Sequence, residues 1–474
     1  MPVLGLALAG CARNPATGEL QPALISQAEE IEMGREAAAE VEQLVGLVPE
    51  EPLQAYLRRM GADLAAVTER PGLPWTFGVV DDPTPNAFAL PGGHIYVTRG
   101  LLGYLDSEAE LASVLGHEVG HVTARHAVAA LSRARLAQLG LLVGGIFFPA
   151  AAQYGGWTGL GIDLLFLEYG RDAELQADEL AFRYAVARDY DAREMVDVFG
   201  TLKRLHEVEG SSPLPSWLAT HPAPDTRIRN LESRIASLGS RGDSLRRGRE
   251  AYLERIDGVV YGVNPRNGFF RDRVFLHPEF RFRLELPEGW QRQNLAAAVV
   301  AISPGRNAVI QLTLARERTA EESSRRFLAE PHVRALETRR EIHHGVPAVV
   351  SAFRAEGEQG TIRGLVAFFD HRGRVFQLLA YTPALHFARY EGGFRTVLGS
   401  FAPLDDPEIL ALQPRRMRVT RLEEAMSLAE FHRRHPSTIP LEDLLVLNQL
   451  ADPNAQLPKG TLVKRVVGAG LPPS

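Results

Sequence analysis

The chain has 474 residues, more than one hydrophobic core normally organises; at about 150 residues per domain it should fold as about three units. Hydrophobic residues make up 45% and charged residues 23%, which excludes wholesale disorder. A net charge of -6 excludes a basic nucleic-acid footprint. The single cysteine, Cys11, excludes an intramolecular disulfide and a cysteine-ligated metal.

The first eleven residues form an apolar run far shorter than the ~20 residues of a membrane span. Leu8-Ala9-Gly10-Cys11 resembles a bacterial lipobox, although no Lys or Arg precedes it as in a secretory signal. The resemblance implies a signal peptide over 1–11, a lipid on Cys11 and export. Ala12 after the cysteine implies outer-membrane sorting. Residues 12–25, with Pro15, Gly18 and Pro22, read as a tether.

Apolar residues at helical spacing predict helices over 26–48 and 53–67, followed by strands over 75–80 and 93–97. Ser107 and Glu110 form a capping box that opens a long helix continuing to about Leu136. From Leu136 to Ile162 there is no charge, but seven glycines and a proline interrupt the run. That pattern predicts a buried or membrane-skimming hairpin. Helices follow over 168–187, 192–208 and 225–238, with a Pro/Ser-rich loop at 211–216 and a linker over 241–257.

After about Gly258 the apolar period changes from 3.6 to 2, as in Phe280, Phe282, Leu284 and Leu286. An α+β domain of unknown role is expected over 258–403. His343 and His344 are adjacent, so on a strand they point to opposite faces and read as a turn-flanking pair rather than a metal site. A small unit closes the chain over 416–467.

His117-Glu118-Val119-Gly120-His121 is H-E-x-x-H within the capped helix. Positions i and i+4 share a helical face, so both imidazoles can reach one zinc while Glu118 points to its open side. Composition predicts roughly 0.05 such matches by chance. A catalytic zinc takes three protein ligands and one water. The third ligand candidates lie four apart on a later helix, with Glu174 to ligate and Asp178 to accept a hydrogen bond from a ligating imidazole.

These segments resemble the M48 family of zinc metalloproteases. Asn86 to Val97 is similar to the family's strand before the metal helix, Leu111 to His121 to the metal helix, and Glu174 to Asp178 to the third-ligand helix. Thr220-His221-Pro222 with Arg227 is similar to a later segment near the active site. The resemblance covers about residues 14 to 238 and implies a mainly α, gluzincin-type domain over 26–240. It implies one zinc per chain held by His117, His121 and Glu174, with Glu118 catalytic. His221 or Arg227 would stabilise the oxyanion, or His221 would occupy the open zinc position and keep the enzyme latent. Asn86, Ala87, Phe88 and Ala89 would bind an extended peptide by strand addition.

Residues 418–466 resemble a LysM domain, a small βααβ unit that binds peptidoglycan. Arg418-Val419-Thr420 would be its first strand and Leu457 to Lys464 its closing turn and strand. The usual Gly-Asp-Thr is replaced around Leu422 to Ala425, so a protein-contact or purely structural cap is an equal reading. The expected function is a periplasmic, outer-membrane-anchored zinc endopeptidase that hydrolyses misfolded or stalled envelope proteins with metal-activated water. The alternative is a latent or chaperone-like homologue acting as an assembly factor. A prenyl-protein endopeptidase would need several firm membrane spans.

Overall fold

A computed structural model describes residues 11–138, 169–208, 217–222, 225–357 and 360–471. The apolar run before Cys11, the loop at 211–216 and the uncharged stretch from 139 to 162 lie outside them. No helix among the described residues is long and apolar enough to cross a membrane. The described residues form two compact units rather than three. One comprises those of Met1–Glu42, Gly46–Gly262 and Arg415–Gly468; the other comprises Gln43–Val45, those of Val263–Pro414, and the end of the chain.

The first unit opens with a hairpin, β1 (Cys11–Arg13) and β2 (Leu20–Pro22). The expected tether is thus an ordered segment. Asn14 Nδ2 donates to Gln176 Oε1 at 2.8 Å and Gln21 Nε2 to the Ala124 carbonyl at 2.9 Å. Helices α1 (Gln27–Leu44) and α2 (Glu51–Ala65) follow. A three-stranded sheet has the order β3 (Thr76–Val80), β5 (His94–Thr98), β4 (Ala87–Leu90), with β4 antiparallel at the edge.

After the short α3 (Arg99–Tyr104), Ser107 caps α4 (Glu108–Thr123), its hydroxyl accepting from Glu110 N at 3.1 Å. The long helix expected to reach Leu136 is two helices. Arg125 adopts φ +59°, and α5 (His126–Gln138) begins after it. The break is held by charge: the Arg125 and Arg70 guanidiniums each donate at 2.8 Å to Glu30 of α1, which is 1% exposed.

Helix α6 (Arg171–Ala187) packs along α4. Two glycines of α4 permit the close approach. A Cβ on Gly116 would stand 3.1 Å from Ala181 Cα, and one on Gly120 would stand 3.2 Å from the Ala177 carbonyl oxygen. Helix α7 (Glu194–Val208), a single turn (Trp217–Thr220) and α8 (Asp225–Ser237) complete this layer. The segment 241–257 is not a linker. It carries α9 (Arg249–Ile256), whose Tyr252, Leu253 and Ile256 are fully buried in the core of this unit.

The second unit is α+β. Its larger sheet has the antiparallel order β12 (Val333–His343), β13 (Val346–Gly357), β14 (Gly360–His371), β15 (Arg374–Pro383), β11 (Val309–Leu314), β10 (Ala298–Ile302), β9 (Gln291–Asn294). A four-stranded sheet has the order β16 (Ala402–Pro403), β8 (Phe282–Glu285), β7 (Val274–His277), β6 (Phe269–Arg271). The period-2 pattern is visible in β8 (Phe282–Glu285), where Phe282 and Leu284 are buried and Arg283 is exposed. Helices α10 (Ala320–Leu328) and α11 (Phe387–Gly399) cover the large sheet. His343 ends a strand and His344, at φ +49°, begins the turn to the next.

Residues 415–468 return to the first unit. Strands β17 (Arg416–Arg421) and β18 (Leu462–Val467) pair antiparallel, and α12 (Leu428–Arg434) and α13 (Leu441–Leu447) lie between them in sequence. Leu428, Leu444, Leu447 and Val466 share the same apolar core as α4. Lys464 is fully buried, and its ammonium donates to the carbonyls of Gly103 at 3.1 Å and Leu105 at 2.9 Å. It also lies 3.5 Å from Asp106. Gln449 Nε2 donates to the Tyr104 carbonyl and to Glu110, both at 3.0 Å. The closing segment therefore grips the residues that lead into α4.

Removing one partner of a buried ionic cluster leaves the other charges unpaired and typically costs several kcal/mol. Lys464→Met should lower unfolding stability in urea by about 3 kcal/mol. Adding Asp106→Asn and Glu110→Gln should recover part of that loss.

Candidate metal centre

The i, i+4 spacing places His117 and His121 on the face of α4 that meets α6. Both are buried, with His121 Nε2 3.0 Å from His117 Nε2. Across the glycine-lined contact, α6 supplies Glu174. Its carboxylate oxygens lie 3.5 Å from each of those ring nitrogens. His221, beyond the Trp217–Thr220 turn, points Nδ1 into the same space, 3.0 Å from Glu174 Oε1 and 3.4 Å from His117 Nε2.

These four residues each offer one ligand atom, all within 4.8 Å of one another. Nitrogen and oxygen ligands at about 2.0–2.1 Å from a tetrahedral centre stand about 3.3–3.4 Å apart. The observed separations of the two ring nitrogens and the carboxylate oxygens, 3.0 to 3.5 Å, fit that requirement. Glu174 Oε2 also has no hydrogen bond despite full burial. A buried cluster of imidazole nitrogens and a carboxylate suits a divalent transition metal.

A second layer of partners orients these groups. His117 Nδ1 lies 3.0 Å from Asp178 Oδ1. Asp178 in turn accepts two bonds from Arg227, both at 2.7 Å. Arg227 Nη1 is 2.9 Å from Glu174 Oε2, although not in hydrogen-bond geometry. Arg227 is 1% exposed, and its Nη1 donates to the carbonyls of His221 and Pro222. Each of its three guanidinium nitrogens thus donates to Asp178 or to one of these carbonyls. It braces the carboxylates of α6. Its guanidinium also stacks 4.9 Å over the Phe199 ring.

Burial opposes the charge on Asp178, but hydrogen bonds from Arg227 and His117 hold its carboxyl below the usual range. Burial likewise opposes ionisation of Glu174, yet the surrounding imidazoles, His221 first, keep it far below the usual carboxylate range. Burial disfavours charge on His117 too, but Asp178 and Glu174 push it up to about 9. Burial, then the neighbouring His117, pushes His121 well below the ordinary imidazole value.

Glu118 lies beside the cluster, and Trp217 Nε1 donates to its Oε1 at 3.0 Å. His221 Nε2 is 3.5 Å from the same oxygen. Asn86 precedes the edge strand β4, which carries Ala87, Phe88 and Ala89; the Asn86 side chain accepts from Ala87 N at 2.8 Å. For Cys11 only the backbone is described, as the first residue of β1.

Sequence reasoning missed three groups at this site. Trp217 holds Glu118, Tyr169 stacks on His121 with ring centroids 4.1 Å apart, and His126 Nδ1 lies 2.9 Å from His121 Nδ1. The one available signal was proximity in sequence: Trp217 stands four residues before His221 and His126 five after His121.

Arg227→Lys distinguishes bracing from oxyanion stabilisation. Lysine keeps the charge but loses the planar fork that holds Asp178 at two points. Bracing predicts weaker zinc binding and a lower melting temperature. A loss of turnover alone, with both unchanged, would support the oxyanion role.

Residues 51–235 match the family described as Peptidase family M48. The chain is 30% identical to the Beta-barrel assembly-enhancing protease of Yersinia pestis over 46% of this chain and 46% of that one. It is 31% identical to a Putative beta-barrel assembly-enhancing protease of Vibrio cholerae, over 38% of this chain and 39% of that one. It is 33% identical to Mitochondrial metalloendopeptidase OMA1 of Arabidopsis thaliana, over 35% of this chain and 33% of that one. The chain thus spans less than half the length of each of these relatives. The segment carrying the buried His and Glu cluster matches Peptidase family M48, and that match with these relatives supports a metalloendopeptidase.

Proposed function

We propose that this chain is a zinc-dependent endopeptidase of the bacterial cell envelope that cleaves misfolded or stalled envelope proteins. The observation that carries the reading is the buried cluster of His117, His121 and Glu174, with Glu118 beside it. His117, His121 and Glu174 would hold the zinc. When bound, zinc activates a water molecule and polarises a carbonyl. Glu118 accepts a proton at its carboxylate and returns it to the leaving amine, acting as general base and then general acid. Trp217 holds Oε1 of that carboxylate, which limits its rotation during transfer. The edge strand β4 offers backbone groups to an extended peptide, giving loose sequence preference.

Two relatives are named for enhancing β-barrel assembly, which supports protein substrates in the envelope. Anchoring through a lipid on Cys11 belongs to the same proposal, on the strength of the lipobox-like residues 8–11. The LysM-like reading of residues 416–467 is kept as a structural cap rather than a peptidoglycan binder. The buried Lys464 and the core shared with α4 support the cap.

A second reading is supported by His221. Its Nδ1 sits among the other ligand atoms, the position of a latch that keeps the enzyme latent or chaperone-like. Digestion of unfolded casein, with and without chelator, tests both. Glu118→Gln should lower the rate by about 10²–10⁴-fold while leaving zinc content intact, and chelator should abolish cleavage. Undiminished cleavage by Glu118→Gln would exclude the mechanism. His221→Ala should raise the rate if His221 is a latch and lower it if it stabilises the oxyanion.

A further inference from the structure

We propose that His126 is a positioning residue that fixes the tautomer and ring orientation of His121. In a continuous helix a residue five places on would point about 140° away from His121. The break at Ala124–Arg125 turns His126 back, and its Nδ1 comes 2.9 Å from His121 Nδ1. His126 is 5% exposed. Its other nitrogen, Nε2, lies 2.9 Å from Gln176 Oε1, the same oxygen that accepts from Asn14 Nδ2 at 2.8 Å.

The direction of this chain of bonds follows from its far end. Gln176 Oε1 can only accept, so His126 Nε2 carries a proton and donates. A neutral imidazole has one N–H, so His126 Nδ1 is left as an acceptor. It therefore takes the proton of His121 Nδ1, which leaves the Nε2 lone pair of His121 facing His117 and Glu174. The other imidazole is fixed in the same sense, its Nδ1 toward Asp178. One ligating ring is thus held by a carboxylate, the other by a relay of His126, Gln176 and Asn14. Tyr169 stacks on the face of His121 and keeps the ring from tilting.

This inference rests on His121 being a metal ligand, and zinc affinity of the full chain tests it. Competition with a chromophoric chelator gives the affinity, and the visible spectrum of the cobalt-substituted protein reports ligand geometry. Outer partners of ligating histidines typically contribute 10–100-fold in affinity. His126→Phe should weaken zinc binding by about that factor and alter the cobalt spectrum. His126→Asn, whose Oδ1 can accept the same bond, should stay within about threefold of wild type. Equal affinity in wild type and His126→Phe would overturn the proposal, as would Asn behaving like Phe. If circular dichroism shows that His126→Phe does not fold, Gln176→Leu carries the test: at least about threefold weaker binding supports the relay, and unchanged binding overturns it. A wild-type chain that binds no zinc, or binds it equally well after His117→Ala, would instead remove the metal-site reading itself.

Discussion

The close approach of α4 and α6 is the constraint on which the centre depends. Glycine at 116 and 120 leaves room for the backbone of Ala177 and Ala181. That contact sets the distance between the paired imidazoles of one helix and the carboxylate of the other. A side chain at either position would push the helices apart by a few tenths of an ångström, and metal ligation tolerates little more than that. Each of these glycines immediately precedes a histidine of the pair, so one stretch of sequence supplies both the donors and the space they need.

Buried charge then fixes α4 on three sides. At its C-terminal end Glu30 joins Arg70 and Arg125. Alongside it Arg227 braces Asp178 and Glu174. At its start Lys464 of the closing segment meets Asp106 and the carbonyls that end α3. Buried ion pairs contribute little net stability, because desolvation offsets their attraction. Their value here is positional, since a charge removed from water can rest only where its partner stands.

Much of the centre was legible because it is local. H-E-x-x-H needs only helical periodicity, and Glu174 with Asp178 repeats the same i, i+4 logic on a second helix. The period-2 pattern of Phe282 and Leu284 likewise announced a sheet. What escaped depends on contacts between distant residues. The break at Arg125 follows from Glu30, ninety-five positions earlier, and without it His126 would face away from His121. Nothing near Lys464 in the sequence points to Gly103 or Leu105, so the closing segment read as a separate unit. Tyr252 and Leu253 were hidden by the Gly, Ser and Arg-rich stretch before them, which resembles a linker in composition but is followed by a core helix.

The central claim is that one zinc is held by His117, His121 and Glu174. X-ray absorption at the zinc edge of the purified chain tests it most directly. The account predicts about two imidazole nitrogens and one or two oxygens near 2.0–2.1 Å, with one imidazole lost in His121→Ala and an oxygen lost in Glu174→Ala. A shell unchanged by either substitution would place the metal elsewhere and contradict it.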